Sequence, residues 1–227
     1  MKTSRQRARV FGPMLSVLFL VGSGNSVQAG PNFGGTLIVH EVELNATCEA
    51  VVSGPLSACA AVDNMVDSPF LCPAWKVYAA FPGNSQPRLK TLRWGISSSS
   101  DSLSVSSFVS PDPLAVDVVP TWGWPYSGTG VTMTFHTVQT AELVELFIFL
   151  GYNGYGSPIP SGAVWSTTSH PTESSVFLDD SAVPVEDPIA DYGTLGFGVP
   201  GYTPCPEPLP VPAVETSWGR IKADYRR

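Results

Sequence analysis

Charged residues are scarce in this chain, and basic residues above all. Only 14% of its 227 residues are Asp, Glu, Lys or Arg. Four of the twelve Lys and Arg residues lie in residues 1–29, which hold no acid, so residues 30–227 carry 8 basic and 19 acidic residues, a net charge of −11. So acidic a chain excludes binding to nucleic acid or to an anionic membrane through a general electrostatic field.

Motifs of hydrolases and of zinc sites are also missing. There is no GxSxG nucleophile motif, and His40, His136 and His170 lie on separate predicted elements. Glu142 and Glu145 are three residues apart, and such neighbours on a strand face opposite sides, so they do not form the carboxylate pair of a glycosidase. No CxxC or CxxH spacing is present for zinc. The sequence predicts a protein that is not an enzyme, with a secreted hydrolase as the alternative.

Apolar runs of transmembrane length are missing too. The run Phe11–Gly22 is too short to span a bilayer, follows the basic residues of segment 2–9 and precedes the small-residue sequence Val27-Gln28-Ala29. This pattern predicts a secretory signal peptide over residues 1–29 and a secreted, extracellular or cell-surface protein. An uncut membrane anchor is the alternative.

The densest apolar run of the mature chain is Glu142–Tyr152, ELVELFIFLGY. As a strand it places Leu143, Phe147 and Phe149 on one face. The residues predicted on the other face are Val144, Leu146, Ile148 and Leu150. A strand apolar on both faces belongs in the middle of a covered sheet, whereas a helix beginning at Thr140 is the alternative.

Short apolar or alternating runs separated by Gly, Pro, Asn and Ser recur along residues 30–206 and predict strands. The predicted strands are Thr36–Leu44, Ala74–Phe81, Leu89–Ile96, Leu103–Val109, Leu114–Val119, Gly130–His136, Ala163–Ser169, Val176–Leu178 and a last one within 187–198. We predict an all-β fold over residues 30–206, a two-layer antiparallel sandwich of jelly-roll or immunoglobulin-like type.

The composition changes after Cys205, where prolines alternate along the chain. Residues 207–227 are predicted to be an extended Pro-rich spacer followed by a short basic tail. Trp218, Ile221 and Tyr225 fall on one face of a short helix. The tail holds half of the basic residues that follow residue 29: Arg220, Lys222, Arg226 and Arg227.

Four cysteines, an even number in an exported chain, predict two disulfides. They are Cys48, Cys59, Cys72 and Cys205. Three pairings are open, and we favour Cys48–Cys59 as a local staple with Cys72–Cys205 as a clasp.

Two groups of side chains are candidate ligand sites. Carboxylates on the loops around residues 179–191 suit Ca²⁺, a cation that takes oxygen ligands, although a solvated acidic loop is the alternative. The proposed calcium ligands are Asp179, Asp180, Asp187 and Asp191. Rings on loops suit stacking on a surface glycan, although packing over the ends of the sandwich is the alternative. The candidate rings are Trp122, Trp124, Tyr152 and Tyr155.

Strand Thr36–Leu44 follows a Gly-rich leader and must pair with a sheet. It either closes its own sandwich or is donated to the next molecule of a fibre. The interface residues of the second alternative are Leu37, Ile38, Val39 and Val42.

Several strings in residues 34–206 carry a resemblance. They are GGTLIVH from Gly34, VYAAFP from Val77, PRL from Pro87, WGI from Trp94, LVELFIFLGY from Leu143, SHPT from Ser169, DDSAVP from Asp179, DPIADYGTLGFG from Asp187 and GYTPCP from Gly201. With them the chain resembles a group of uncharacterised exported β-sandwich proteins from uncultivated bacteria. The string TSWGRIK from Thr216 resembles a terminal motif of other exported proteins and suggests sorting or attachment.

These observations predict a secreted, non-catalytic structural or interaction protein that self-associates on the cell surface or as an extracellular fibre. A carbohydrate-binding or adhesion module is the alternative. The predicted partner is a second copy or a surface glycan, and the predicted cofactor is none, or Ca²⁺.

Overall fold

Strands account for nearly all regular structure in the residues that the computed structural model describes, namely 29–42, 56–67, 73–110, 112, 114–153 and 159–209. Apart from a 3-10 turn at Cys59–Ala61, these ranges contain no helix. Their strands are β1 Thr36–Val42, β2 Met65–Val66, β3 Ala74–Ala80, β4 Leu89–Ser98, β5 Leu103–Val109, β6 Val116–Pro120, β7 Thr129–Gln139, β8 Leu143–Asn153, β9 Val164–Thr168, β10 Val176–Leu178, β11 Glu186–Pro188 and β12 Thr194–Phe197.

Two sheets form the layers. The first sheet has the order β1-β3-β8-β5 and is antiparallel throughout. In the second, β4 pairs with β7 along one side, and its other side is shared by β10 and β9. Strand β6 extends that sheet beyond β7, whereas β11 lies beyond β10, and β12 and the parallel β2 lie beyond β9. The predicted all-β, two-layer sandwich is confirmed.

Strand β8 occupies the middle of the first sheet, between β3 and β5, as predicted. The predicted division of its faces is wrong, because a bulge at Leu146 shifts the register against β3 between Val77 and Tyr78. The bulge turns Leu146 and Phe147, which are neighbours in sequence, both into the core. A bulge adds one residue to one strand and thereby reverses the alternation beyond it. The core face of β8 is Val144, Leu146, Phe147 and Phe149.

Aromatic rings from both sheets fill the space between them. Phe149 of the first sheet lies with its ring centroid 5.1 Å from that of Trp165 and 6.4 Å from that of Trp94, both of the second sheet. Trp75, from β3, stacks on Phe149 at 5.9 Å. All four side chains are buried. Rings of this size bury large apolar areas, so this cluster is the main source of attraction between the layers.

An ion pair lies on the outer face of the first sheet, next to segment 56–62, which covers part of this face. Lys76 donates to Glu145 at 2.9 Å, and the hydroxyl of Tyr78 donates to the same carboxylate oxygen at 3.2 Å. Burial, and then the charge of Glu145, raise the pKa of Tyr78. Segment 56–62 packs over Ile38 and Tyr78 on this face. Lys76 is therefore bound inside its own domain and is not available at the surface.

The disulfide pairing differs from the prediction. Cys59 is bonded to Cys205, with an S–S distance of 2.06 Å. The favoured pairs Cys48–Cys59 and Cys72–Cys205 are therefore both wrong. Cys59 begins the 3-10 turn of the covering segment, which brings it within reach of the chain's return from β12. Cys48 and Cys72 lie outside the described residues.

Strand β1 closes its own sandwich. It pairs antiparallel with β3 along its whole length, and Leu37, Ile38, Val39 and Val42 are buried. Its other edge is bonded as well: the N–H of Leu37 donates to Asp191 at 3.0 Å, and its carbonyl accepts from Gly193 at 2.7 Å. In this structure the four predicted interface residues are core residues, and the covered edge leaves β1 little opportunity for edge-to-edge pairing.

Candidate functional site

The sandwich has two ends that differ in character. At one end β4 finishes, β5 begins and the β6–β7 loop, residues 121–128, turns. We call this end the aromatic pole. At the other end β3 passes to β4 through residues 81–88, and β7 passes to β8 through residues 140–142. We call it the exit pole, because the segment that follows Cys205 packs there as far as Leu209.

Hydrogen bonds fix the loop 121–128 at its base. Thr121 and Gly130 exchange two bonds of 2.9 Å, one between the Thr121 N–H and the Gly130 carbonyl and one between the Gly130 N–H and the Thr121 hydroxyl. Gly128, which has φ +82°, donates its N–H to the carbonyl of Ile96 at 2.8 Å. Only glycine adopts this left-handed backbone without strain. The loop is thus tied both to its own hairpin and to β4.

Three aromatic side chains alternate along this loop, and the structure separates them. The Trp122 side chain is 98% exposed and that of Tyr126 is 62% exposed. Trp124 packs on the core instead, with its ring centroid 5.6 Å from that of Trp94 and 6.0 Å from that of Phe108. Trp124 anchors the loop, and Trp122 and Tyr126 are its exposed rings.

Of the four predicted stacking rings, two keep an exposed surface. Trp122 does, and Tyr152 at the end of β8 is 43% exposed at the same pole. Trp124 is turned to the core, which is the packing alternative for that ring, and Tyr155 lies outside the described residues. Among the predicted rings that the structure describes, only Trp124 therefore packs over the end of the sandwich.

A serine-rich turn stands beside the aromatic loop. The N–H of Ser98 donates to the Ser127 hydroxyl at 2.9 Å, which joins the β4–β5 turn to the loop. Asp101 is the charged residue of that turn, and it is exposed. The described surface of the aromatic pole therefore combines three exposed rings, those of Trp122, Tyr126 and Tyr152, with hydroxyl groups and the carboxylate of Asp101.

The exit pole holds the C-terminal end of the described chain. The side chain of Asn84 accepts from the Leu209 N–H and donates to the Leu209 carbonyl, both at 2.8 Å. The side chain of Thr36 donates to the carbonyl of Pro204 at 2.7 Å. A recess of about 470 Å³ lies next to this segment, between Cys59, Phe81, Glu142 and Pro206. The Pro-rich segment is thus held against the domain as far as Leu209.

The predicted calcium ligands do not converge. Asp180 pairs with Arg88 at 2.7 Å, Asp187 accepts the N–H of Asn32 at 2.9 Å, and Asp191 accepts the hydroxyl of Tyr202 at 2.7 Å. No three or more His, Cys, Asp or Glu side chains are arranged to hold a metal ion in the part that the structure describes. Calcium binding stays a prediction.

The carboxylate of Asp179 accepts hydrogen bonds from residues of its own loop. Burial opposes its ionisation, but hydrogen bonds from the Ser181 hydroxyl and from the Val185 and Ser181 N–H groups outweigh it and lower the pKa of Asp179. The bond to Val185 measures 2.8 Å. The carboxylate closes a turn, a frequent role of Asp in loops.

Every basic residue of the sandwich is engaged by the sandwich itself. Lys76 binds Glu145, and Arg88 forms two bonds with Asp180. Lys90 donates to a backbone carbonyl at 2.8 Å. Arg93 pairs with Glu173 at 3.0 Å and with Glu186 at 2.9 Å. The domain therefore engages its few cations internally and keeps a surplus of acids.

The three histidines are far from a catalytic arrangement. His136 pairs with Asp117 on the exposed face of β6 and β7, at 3.3 Å. Nδ1 of His40 accepts the N–H of Asp63 at 3.0 Å, and Nδ1 of His170 accepts the N–H of Glu173 at 3.1 Å. Each makes a local contact, and within the described ranges these contacts do not include a serine or cysteine that a histidine could activate.

Stability is expected to fall as the pH drops from about 7 to about 5. Burial lowers the pKa of both His40 and His170 below 6.5. Below 6.5 the unfolded chain then binds more protons than the folded one, so stability is lost on acidification and is regained above 6.5. Urea denaturation at a series of pH values measures this.

The matched control for that experiment is His170→Asn, whose side-chain oxygen accepts the Glu173 N–H without titrating. The variant should show a weaker pH dependence than the natural chain. A urea midpoint that is constant between these pH values would contradict the assignment. The pKa values of Asp179 and Asp180 are also lowered, so these carboxylates affect stability in a separate pH range, below 3.8.

Comparison with known proteins gives likenesses at the level of strand arrangement only. No family model and no curated protein matches the chain. A cohesin module from the family 33 glycoside hydrolase of Clostridium perfringens is 7% identical, with a TM-score of 0.45, and covers 72% of this chain and 96% of its own. The sixth cohesin of scaffoldin B from Acetivibrio cellulolyticus, solved with a dockerin, is 14% identical, with a TM-score of 0.42 over 72% and 99%.

A third solved structure, the seventh ScaB type I cohesin from Pseudobacteroides cellulosolvens, is 7% identical with a TM-score of 0.41, and covers 78% of this chain and 97% of its own. Identities and scores of this size do not transfer a partner. Among the described residues, no helix is long and apolar enough to cross a membrane.

Proposed function

We propose that this chain is a secreted, non-catalytic interaction module that associates with copies of itself. The observation that carries the proposal is Trp122, a tryptophan 98% exposed on a loop fixed by hydrogen bonds. Exposing such a ring to water without a partner forfeits its apolar burial. Tryptophan is also among the residues that contribute most to protein interfaces. The loop therefore suits a binding surface held ready for a partner.

Charge distribution favours a second copy as that partner. Residues 30–209 hold 4 basic and 17 acidic residues, and the basic ones are bound within the domain. Residues 210–227 hold 4 basic and 2 acidic residues. The chain thus contains both an acidic surface and the basic segment that complements it. Opposite charges on two surfaces speed their encounter and fix their orientation.

Sedimentation velocity across concentrations, from micromolar to millimolar, tests the proposal on chain 30–227. We expect the mean sedimentation coefficient to rise with concentration, and to rise less in high salt because salt screens the charges. The control variant, Val183→Ser, should associate as the natural chain does, because Val183 is an exposed apolar residue on a different loop. A strict monomer at every concentration, in low salt, would refute self-association.

Glycan binding is the second candidate. Two exposed rings, Trp122 and Tyr126, stand beside a serine-rich turn, and rings with nearby hydroxyl groups form the usual surface for sugars. A glycan array probed with the natural chain and with Trp122→Ala separates the candidates. Binding that disappears in the variant, in a chain that stays monomeric, would favour this function over self-association.

A further inference from the structure

We infer that the copies associate head to tail: residues 214–227 of one copy dock on the aromatic loop 121–128 of the next. This inference rests on the proposed self-association and specifies its surfaces. The head-to-tail arrangement rests on three observations. They are the position of Leu209 on the domain, the length of the spacer, and the chemistry of the two surfaces.

The two surfaces lie at opposite ends of the sandwich. Leu209 is bonded to Asn84 at the exit pole, in the loop that precedes β4. The aromatic loop lies beyond the other end of β4 and is bonded to Ile96 and Ser98. Strand β4 has 10 residues, and strands rise about 3.3 Å per residue, so the poles are about 30 Å apart.

The spacer is too short to bring Trp218 easily back to the loop of its own copy. Trp218 is the ninth residue after Leu209, and Pro210 and Pro212 lie between them. A Pro-rich segment extends by about 3.1 Å per residue, which gives about 28 Å. Trp218 would reach the loop of its own copy only if the whole spacer ran straight back along the sandwich. A spacer that instead continued away from the exit pole would present the tail to another molecule.

The chemistry of the tail matches that of the loop. The tail contains Trp218, Ile221 and Tyr225, which the sequence predicts on one face of a short helix, and the loop offers the exposed rings of Trp122 and Tyr126. Such rings attract Arg and Lys side chains placed over their faces. The basic residues of the tail are Arg220, Lys222, Arg226 and Arg227. The exposed carboxylate of Asp101, in the adjoining turn, adds an opposite charge at the same pole.

Because the two surfaces differ, each copy keeps one free surface after the other is occupied. Such a heterologous contact yields rings if its rotation closes and open filaments if it does not. With the surfaces at opposite poles, the expected product is a linear series of copies. This mode of association differs from donation of strand β1, because both edges of β1 are already bonded inside the domain.

Two variants of the 30–227 chain test this inference by sedimentation velocity. The loop variant carries Trp122→Ser and Tyr126→Ser, and the tail variant carries Arg220→Glu and Lys222→Glu. Both loop side chains are exposed, so the loop variant should fold normally, which circular dichroism checks. Loss of a central tryptophan anchor weakens an interface by about thirtyfold or more. Each variant alone should therefore be monomeric at concentrations where the natural chain forms a series.

The mixture of the two variants is decisive. The loop variant retains a competent tail and the tail variant retains a competent loop, so an equimolar mixture should form dimers and nothing larger. If the natural chain associates but the mixture stays monomeric, or if either variant associates like the natural chain, the head-to-tail arrangement is wrong and self-association stands. If the natural chain is itself monomeric, the proposed function fails first.

Discussion

Replacing both Cys59 and Cys205 by alanine should lower the free energy of unfolding by about 5 kcal/mol in the chain-entropy model. The two cysteines are 146 residues apart, so their bond closes most of the chain into one loop and restricts the unfolded state strongly. In the folded state the bond also holds segment 56–62 over Ile38 and Tyr78. Guanidinium denaturation of the double variant and the natural chain measures the difference.

The matched control is Leu114→Ala, a change at a residue that is 88% exposed and makes no core contact. It should leave the denaturation midpoint nearly unchanged. If the double cysteine variant lost no more stability than this control, the bond would contribute nothing and the covering segment would hold by packing alone.

Replacing Phe149 by alanine should cost about 4 kcal/mol, in the range found for large aromatic side chains removed from a core. The Phe149 side chain is fully buried and contacts rings of both sheets, among them Trp75, Trp94 and Trp165. Its removal leaves a cavity that rigid neighbouring rings cannot fill. Denaturation followed by tryptophan fluorescence reports directly on the cluster.

Phe149→Leu is the control for that substitution, because leucine keeps most of the apolar volume. It should cost markedly less than the alanine change. Equal losses for leucine and alanine would indicate that ring-to-ring contact, and not volume, holds the layers together. A small loss in both would place the main attraction between the sheets elsewhere.

Much of the strand order was predictable, because alternation and turn residues mark strands locally. Leu103–Val109 and Val176–Leu178 were predicted with their observed limits, and the middle position of β8 followed from its two apolar faces. Its faces could not be assigned from alternation alone, since one extra residue at Leu146 reverses them. Strands β2 and β11 escaped prediction, because β2 has only two residues and β11, Glu186–Pro188, is an acidic stretch that ends in proline and has no apolar alternation.

The site was predictable in composition and not in orientation. Residues 122, 124 and 126 have the spacing of one face of a strand. The chain turns here instead, with Gly123 at φ +85°, and Trp124 packs inward. The cysteine pairing depends on contacts between distant segments, which spacing along the chain does not encode. The acidic residues were visible in the sequence, but their individual partners, such as Arg88 for Asp180, arise only from the folding of distant strands together.

The Cys59–Cys205 bond has a mechanical consequence. Strands β2 to β12 all lie between the two cysteines, and of the strands in the described residues only β1 lies outside the loop that the bond closes. A tension applied between the N-terminal segment and the C-terminal spacer passes from residue 59 to residue 205 through the sulfur atoms and bypasses every strand in between. Under load the protein can lengthen by peeling β1 from β3, whereas the rest of the sandwich stays folded for as long as the bond remains oxidised.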